Sequence, residues 1–309
     1  MKQFTARQSL KQAKRIVIKV GTSSLVHPNG AIKLQHLDKL AFVLTDLRNQ
    51  GKEIIFVSSG AMAVGLSVLQ RKERPTSIPE QQAVASVGQS ELMKLYSRFF
   101  RNYHQVVAQV LMTRDVVDFP VSRENVTNTF EQLLTMGIIP IVNENDSVAV
   151  EELDHLTKFG DNDKLSGIVA EITKADLLIM LSDIDGFYDK NPHTYSDAKL
   201  FQQLHKIDEN HYQVAGGNGS KFGTGGMLTK LLAAEHVLAQ NSQMVRTNGE
   251  DPTDIFRIID GEVIFTSVIN KSDEESPEYS EDDYYFNPYL SDNFKCCAQI
   301  IKTIEAVLE

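Results

Sequence analysis

The chain is poor in cysteine, lacks a long apolar run and carries no excess of basic charge. Each shortage removes a class of protein. Only two cysteines occur among 309 residues, Cys296 and Cys297. They are adjacent, so they make neither a CxxC pattern nor a disulfide framework, and they fit a reducing compartment, the cytoplasm. No apolar stretch approaches the roughly 18 residues that a membrane helix needs. Lys and Arg number 31 against 41 Asp and Glu, a formal charge of −10. A nucleic-acid surface would need the opposite balance. The eight histidines show neither HxxxH nor HExxH spacing, so no zinc site is expected and no metal ligand from the protein stands out. GxSxG is missing as well, and no acyl-transfer triad is visible.

What is present describes an ordinary globular chain, 42% apolar and 23% charged. Its length suits one large α/β domain, or a domain with an appendage. The charge is uneven. Between Ser272 and Asp292 lie eight acidic residues and no Lys or Arg, which leaves the rest of the chain at −2. That stretch reads as an acidic linker or solvated excursion. It is followed by "FKCCAQIIKTIEAVL" (294–308), whose Cys297, Ile300, Ile301, Ile304 and Leu308 fall on one face of an amphipathic helix. The opening "MKQFTARQSLKQAKR" is basic but has no apolar core, so it is not a secretory signal. It reads as an ordinary solvated lead-in, with only a faint likeness to an organelle transit peptide.

Between these ends, short apolar runs alternate with helical patterns. "RIVIKV" (15–20), "EIIFVSS" (53–59), "VVAQVLM" (106–112), "GIIPIVN" (137–143) and "ADLLIML" (175–181) read as strands. Residues 34–50, 60–69, 79–100, 123–136 and 161–172 read as helices. The alternation predicts a mostly parallel sheet covered on both faces. In such a sheet ligands gather at the C-terminal ends of the strands. There the chain places Gly21-Thr22-Ser23-Ser24, Ser58-Ser59-Gly60, Asn143-Glu144-Asn145-Asp146 and Ser182-Asp183-Ile184-Asp185-Gly186, all small, hydroxylic or acidic.

Four motifs stand out. "KFGTGGMLTK" (221–230) is neither a P-loop nor a dinucleotide fingerprint. Its glycines open a helical pattern, which is either an anion cradle or a surface turn beside a solvated lysine. Lys19 stands inside an apolar strand pattern. It either meets an anion or carboxylate there or snorkels from the strand end. In "GDND" (160–163), Asp161 suits an N-cap and Asp163 suits the helix dipole. "NEND" (143–146) offers four consecutive polar side chains, for turn chemistry or for a ligand.

Taken together, "IVIKVGTSS", "FVSSGAMAVG", "QAVASVGQSELMKLY", "PIVNENDSVA", "FGDNDKLSGIVA", "LLIMLSDIDGFYDKNP" and "GTGGMLTK" resemble the glutamate 5-kinase branch of the amino-acid kinase family. The resemblance spans roughly residues 15–250, with order and spacing kept. It implies a three-layer α/β/α sandwich with a mostly parallel central sheet. It also implies ATP-dependent phosphorylation of the γ-carboxylate of L-glutamate, the first step of proline biosynthesis. By position it assigns Lys19, Lys230 and Asp163 to catalysis. Ser59, Asp146 and Asn162 fall to glutamate. Lys19, Ser182, Asp183, Thr224, Gly225, Gly226, Met227 and Lys230 fall to ATP. Mg²⁺ is expected on the ATP phosphates. Proline as a feedback inhibitor, a homo-oligomer and coupling to γ-glutamyl phosphate reductase are further implications.

On this reading the chain divides into a lead-in (1–14), an amino-acid kinase domain (15–269) and the acidic linker with its short helix (270–309). The sequence departs from the family pattern twice. The tail is too short and too acidic for the RNA-modification-type β-barrel domain that many bacterial members carry. "NSQMVRTNGEDP" (241–252) drifts from the usual small apolar residues, with Arg246 and Thr247 bearing on the adenine pocket. The competing readings are a relative acting on N-acetylglutamate, aspartate, carbamate or phosphate, a catalytically silent ligand-binding relative, and an interaction protein recruited through its acidic tail. Retention of both lysines weighs against the silent relative.

Overall fold

The computed structural model describes residues 9–113, 115–148, 162–190, 192, 194–204, 207, 226–240, 242–262 and 266–269. The chain separates into two units, residues 1–273 and 274–309, and every described residue belongs to the first. The expected acidic linker and C-terminal helix, and Asp161, Thr224 and Gly225, lie outside the described residues.

Eight described strands form one sheet: β1 (Arg15–Val20), β2 (Glu53–Ser58), β3 (Val107–Met112), β4 (Ile139–Glu144), β5 (Leu177–Ser182), β6 (Gln203–Leu204), β7 (Gln243–Asn248) and β8 (Thr266–Val268). Their order is β3-β4-β2-β1-β5-β7-β8-β6. Neighbours pair in parallel except β7 with β8. The five strands expected from apolar runs are all present. The last three strands carry polar or very short sequences and left no comparable signal.

Helices cover both faces. On one lie α2 (Leu34–Asn49), α3 (Ala61–Val68), α4 (Ile78–Asn102) and α9 (Asp254–Ile259), packed over Ile16, Ile18 and Val20 of β1. On the other lie α6 (Pro120–Thr135), α7 (Asn162–Thr173) and α8 (Gly226–Ala239), packed over Val17. This is the three-layer α/β/α sandwich. The short helices α1 (Thr22–Leu25) and α5 (Asp115–Asp118) fill connections. Alternation along β1 sends its odd and even residues to different cores, so it fixes which layer each side chain enters. The basic lead-in is not wholly solvated. Leu10 and Ala13 are buried, and Asp176 accepts the backbone N–H groups of Lys14 and Arg15, each at 2.8 Å. That ties the entry of β1 to the entry of β5.

The β2–α3 connection brings Ser58, Ser59 and Gly60 to the sheet edge, and Gly60 turns at φ +96°, a region that favours glycine. Helix α3 then crosses α4 closely. A Cβ added at Gly88 would stand 1.8 Å from the Ala61 carbonyl oxygen, and one at Gly65 would stand 2.1 Å from that of Val84. Neither backbone can yield as a flexible side chain would, so both glycines set the helix spacing. Gly88→Ala should therefore destabilise by about 1–3 kcal/mol, the usual cost of overpacking. Ser86→Ala, on the exposed face of the same helix, should stay within about 0.5 kcal/mol. Urea unfolding of both variants measures the difference, and equal midpoints would show that the crossing is looser than this.

Candidate active site

Lys19 is the fifth residue of β1 and shares a sheet face with Val17, under α7 and α8. It is only 5% exposed. A lysine so placed needs an anion, and α7 supplies one in its first turn. Asp163, 1% exposed, accepts from Lys19 Nζ through Oδ1 and from Lys230 Nζ at 2.7 Å through Oδ2. Thr229 Oγ1 stands 3.4 Å from the same Oδ2. Burial pushes the Asp163 carboxyl up, but Lys19 and then Lys230 outweigh it and bring the pKa down to about 2. The carboxylate stays ionised, and the trio keeps one net positive charge at the end of the sheet. The question left open for Lys19 is thereby decided: it is paired, not snorkelling.

One residue earlier the chemistry is neutral. Asn162 Nδ2 donates toward the Ser58 carbonyl (3.0 Å), Ser59 Oγ (3.1 Å) and Asn143 Oδ1 (2.9 Å). Asn143 Oδ1 also accepts the backbone N–H of Glu144 at 2.9 Å, and Asn143 Nδ2 donates to Gln89 Oε1 at 2.7 Å. Asn162 Oδ1 is buried and meets no hydrogen-bond donor among the described residues. Ser58 Oγ lies 2.7 Å from Tyr96 OH, whose burial pushes its pKa up, so the phenol keeps its proton. These groups come from β2, β4, α4 and α7 and close over the sheet edge.

Asp146 stands half-buried in the turn just past β4. Ser182 ends β5, and its hydroxyl donates to the Ile184 carbonyl at 2.9 Å, which shapes the loop that carries Asp183. Asp183 is exposed. Gly226 and Met227 open α8, which sets Lys230 in its second turn. The structure therefore joins Lys19, Asp163 and Lys230 directly, joins Asn162 to Ser59, and links the two groups through consecutive residues of α7.

Gln89 and Thr229 fall inside the sequence motifs without an individual role, whereas Asn143 belongs to the "NEND" stretch and Arg246 to the stretch bearing on the adenine pocket; their partners in space are what the sequence does not show. Arg246 is 2% exposed, in a row across the sheet with Met180 and Lys19. Its guanidinium lies 4.9 Å from the centre of the Phe187 ring. Burial lowers its pKa to about 10 against the opposing fields of Asp163, Asp183 and Tyr188, so it too is a cation at neutral pH. The signal that exposed Lys19, a charge inside an apolar strand, is absent from the mixed sequence "QMVRTN".

A mostly parallel α/β sheet with two lysines held on the buried Asp163 at its C-terminal edge has the charge to receive an anion. The pattern of the amino acid kinase family matches residues 14–246, and the chain belongs to that family. It is 64% identical over 270 residues to a glutamate 5-kinase of Listeria monocytogenes, covering 87% of this chain and 98% of that protein. With a glutamate 5-kinase of Enterococcus faecalis it shares 62% identity over 268 residues, covering 87% and 99%. Among solved structures, carbamate kinase from Giardia lamblia bound to AMP-PNP superposes with a TM-score of 0.60 at 13% identity, covering 84% of this chain and 100% of that one. UMP kinase from Bacillus anthracis gives 0.56 at 17%, covering 84% and 97%. These two likenesses establish the fold.

The depressed Asp163 pKa has a measurable consequence. A group whose pKa falls on folding adds stability above its ordinary value, and that stability is lost as pH drops through the folded value. For Asp163 the window runs from 3.8 down to about 2. Lys230→Met removes one of the two compensating cations and raises the folded pKa. Wild type should therefore lose stability more steeply than Lys230→Met across this window in urea unfolding. Equal slopes would mean that Lys230 does not hold Asp163 in its charged form.

Proposed function

We propose that the chain phosphorylates the γ-carboxylate of L-glutamate with ATP, giving γ-glutamyl phosphate and ADP, the first step of proline biosynthesis. The observation that carries this reading is Asp163 buried between Lys19 and Lys230, with the amide site of Asn162 one residue away. The names of the relatives, similar over nearly their whole length, supply the substrate.

The reaction requires little beyond this arrangement. A glutamate carboxylate, with an ordinary pKa of about 4.3, is already ionised at neutral pH and needs no base. The obstacle is repulsion between two anions. Lys19 and Lys230 answer it from β1 and α8, two fixed cations whose common carboxylate keeps them from swinging away. ATP supplies the phosphoryl group, with Mg²⁺ neutralising its phosphates. The excess positive charge of the trio suits such a polyanion, as does the start of α8 at Gly226. Ser182, Asp183, Thr224, Gly225 and Met227 complete the nucleotide side in this reading. Ser59, Asp146 and Asn162 take the substrate, with acceptor oxygens turned to its ammonium.

Feedback by proline, a homo-oligomer and transfer to γ-glutamyl phosphate reductase belong to the same reading, the last because an acyl phosphate is labile. A cytoplasmic location belongs to it too. Among the described residues no helix is long and apolar enough to cross a membrane. The division at residues 14–15 and 269–270 is likewise part of the proposal.

With Mg-ATP and hydroxylamine, glutamate should give γ-glutamyl hydroxamate, and aspartate, N-acetylglutamate and carbamate far less. Lys19→Met or Lys230→Met should lower kcat by about a hundredfold or more, the scale for losing one electrostatic stabiliser. Asp146→Ala should instead raise KM for glutamate and spare that for ATP, because the ammonium does not change during transfer. A faster reaction with another acid, or a folded Lys230→Met enzyme with near-normal kcat, would remove this reading.

A further inference from the structure

We infer that Gln89 is a positioning residue for substrate recognition, acting on Asn162 through Asn143. The inference rests on the glutamate reading and gives a role to a residue of the "QAVASVGQSELMKLY" block that the resemblance left without one.

Three amides form a chain whose direction is fixed by backbone groups. An N–H can only donate, so the Asn143 atom that faces the Glu144 N–H is its oxygen. Its nitrogen then points at Gln89, which must present Oε1, at 2.7 Å. A carbonyl can only accept, so Asn162 turns its nitrogen toward Ser58 and toward Asn143 Oδ1. Its oxygen is left over. That oxygen is buried and has no donor among the described residues. A buried acceptor without a donor is costly, and a ligand group made only of donors removes the cost. The α-ammonium of glutamate is such a group.

Two hydrogens on Asn162 Nδ2 serve three acceptors, so its partners alone leave slack in the amide plane. Asn143 must itself be rigid to remove that slack. It is 2% exposed at the end of β4, and Gln89 is the side chain that takes its amide hydrogen. Gln89 stands on α4, in the helical layer opposite α7. The three amides thus tie one helical layer to the other over the sheet edge. Displacing Gln89 releases Asn143, and the Asn162 oxygen then loses its aim.

The test is steady-state hydroxamate kinetics on wild type, Gln89→Leu, Gln89→Asn and Gln89→Glu, with glutamate and with glutarate, which lacks the ammonium. Thermal melting confirms folding. Gln89→Leu should raise KM for glutamate about three- to tenfold, the scale of one lost hydrogen bond, with KM for ATP and kcat little changed. The preference for glutamate over glutarate should narrow by the same factor. Gln89→Asn withdraws the acceptor by one methylene and should behave likewise, which keeps the test alive if the leucine variant does not fold. Gln89→Glu retains an acceptor oxygen and should remain near wild type. A wild-type enzyme that makes no hydroxamate from glutamate overturns the glutamate reading and the inference with it. If wild type turns glutamate over, the inference alone is overturned by either of two results. One is an unchanged KM and glutamate preference in the leucine and asparagine variants. The other is equal damage in the leucine and glutamate variants.

Discussion

A carboxylate that is 1% exposed must remain charged for this site to exist, and much else follows from how that is achieved. Burial alone would neutralise Asp163; two lysines reverse the outcome. Those lysines come from β1 and α8, and the carboxylate comes from α7, so one ionic contact joins three elements of one layer boundary. Removing a single partner from such a buried group costs about 3–5 kcal/mol, because a charge is left without compensation. The reciprocal effect matters for chemistry. Each lysine has surrendered its conformational freedom to Asp163 before any phosphate arrives, so little ordering remains to oppose binding. A cation held in this way is preorganised, and preorganised charge is worth more than mobile charge.

The same turn of α7 separates two kinds of recognition. Consecutive helical residues diverge by about 100° around the axis. Asn162 therefore looks toward β2 and β4, where its partners are amides, hydroxyls and a carbonyl. Asp163 looks toward β1 and α8, where its partners are cations. In the proposed reaction the changing end of the substrate would meet the charged trio, and its fixed end Asn162 and Ser59 together with Asp146. Because Asn162 and Asp163 sit on one rigid element, their separation does not depend on loop conformation. The close crossing of α3 and α4 serves the same end from the other layer, since it sets Ser59 at one helix start and Gln89 within the other.

Legibility in the sequence followed the strength of the physical signal. β1, β2, β4 and β5 are near-continuous apolar runs buried on both faces, and their positions were readable to within a residue or two. β7 and β8 were not, because "QMVRTN" and "TSV" mix polar and apolar residues without period. Lys19 was readable because a charge in a buried strand demands a partner, but the partner was not, lying 144 residues away on another element. Asp163 and Asn162 were reached through resemblance, since each alone reads as helix-start chemistry. Gln89 lies in one of the blocks that carry the resemblance, but nothing there assigned it a role of its own. A half-buried glutamine on an amphipathic helix is ordinary until its neighbour in space is known.

Arg246 shows why an acidic chain can still hold a site for anions. The molecule carries −10 overall, and much of that lies between residues 272 and 292. Exposed charges are screened over about 8 Å at physiological ionic strength, whereas buried ones are screened far less. The potential at the sheet edge is therefore set by what is buried there. Lys19, Lys230 and Arg246 face Asp163, with Asp183 at the rim. Glu144 is buried at the end of β4 as well, so Arg246 is the third cation against three acidic side chains at this edge. The row Lys19, Met180 and Arg246 also spaces two of the cations across three neighbouring strands, so they act on an incoming polyanion from separate points. A drift from small apolar residues at position 246 thus changes the electrostatics of the site, while the stacking of Arg246 on Phe187 keeps the added charge inside the fold.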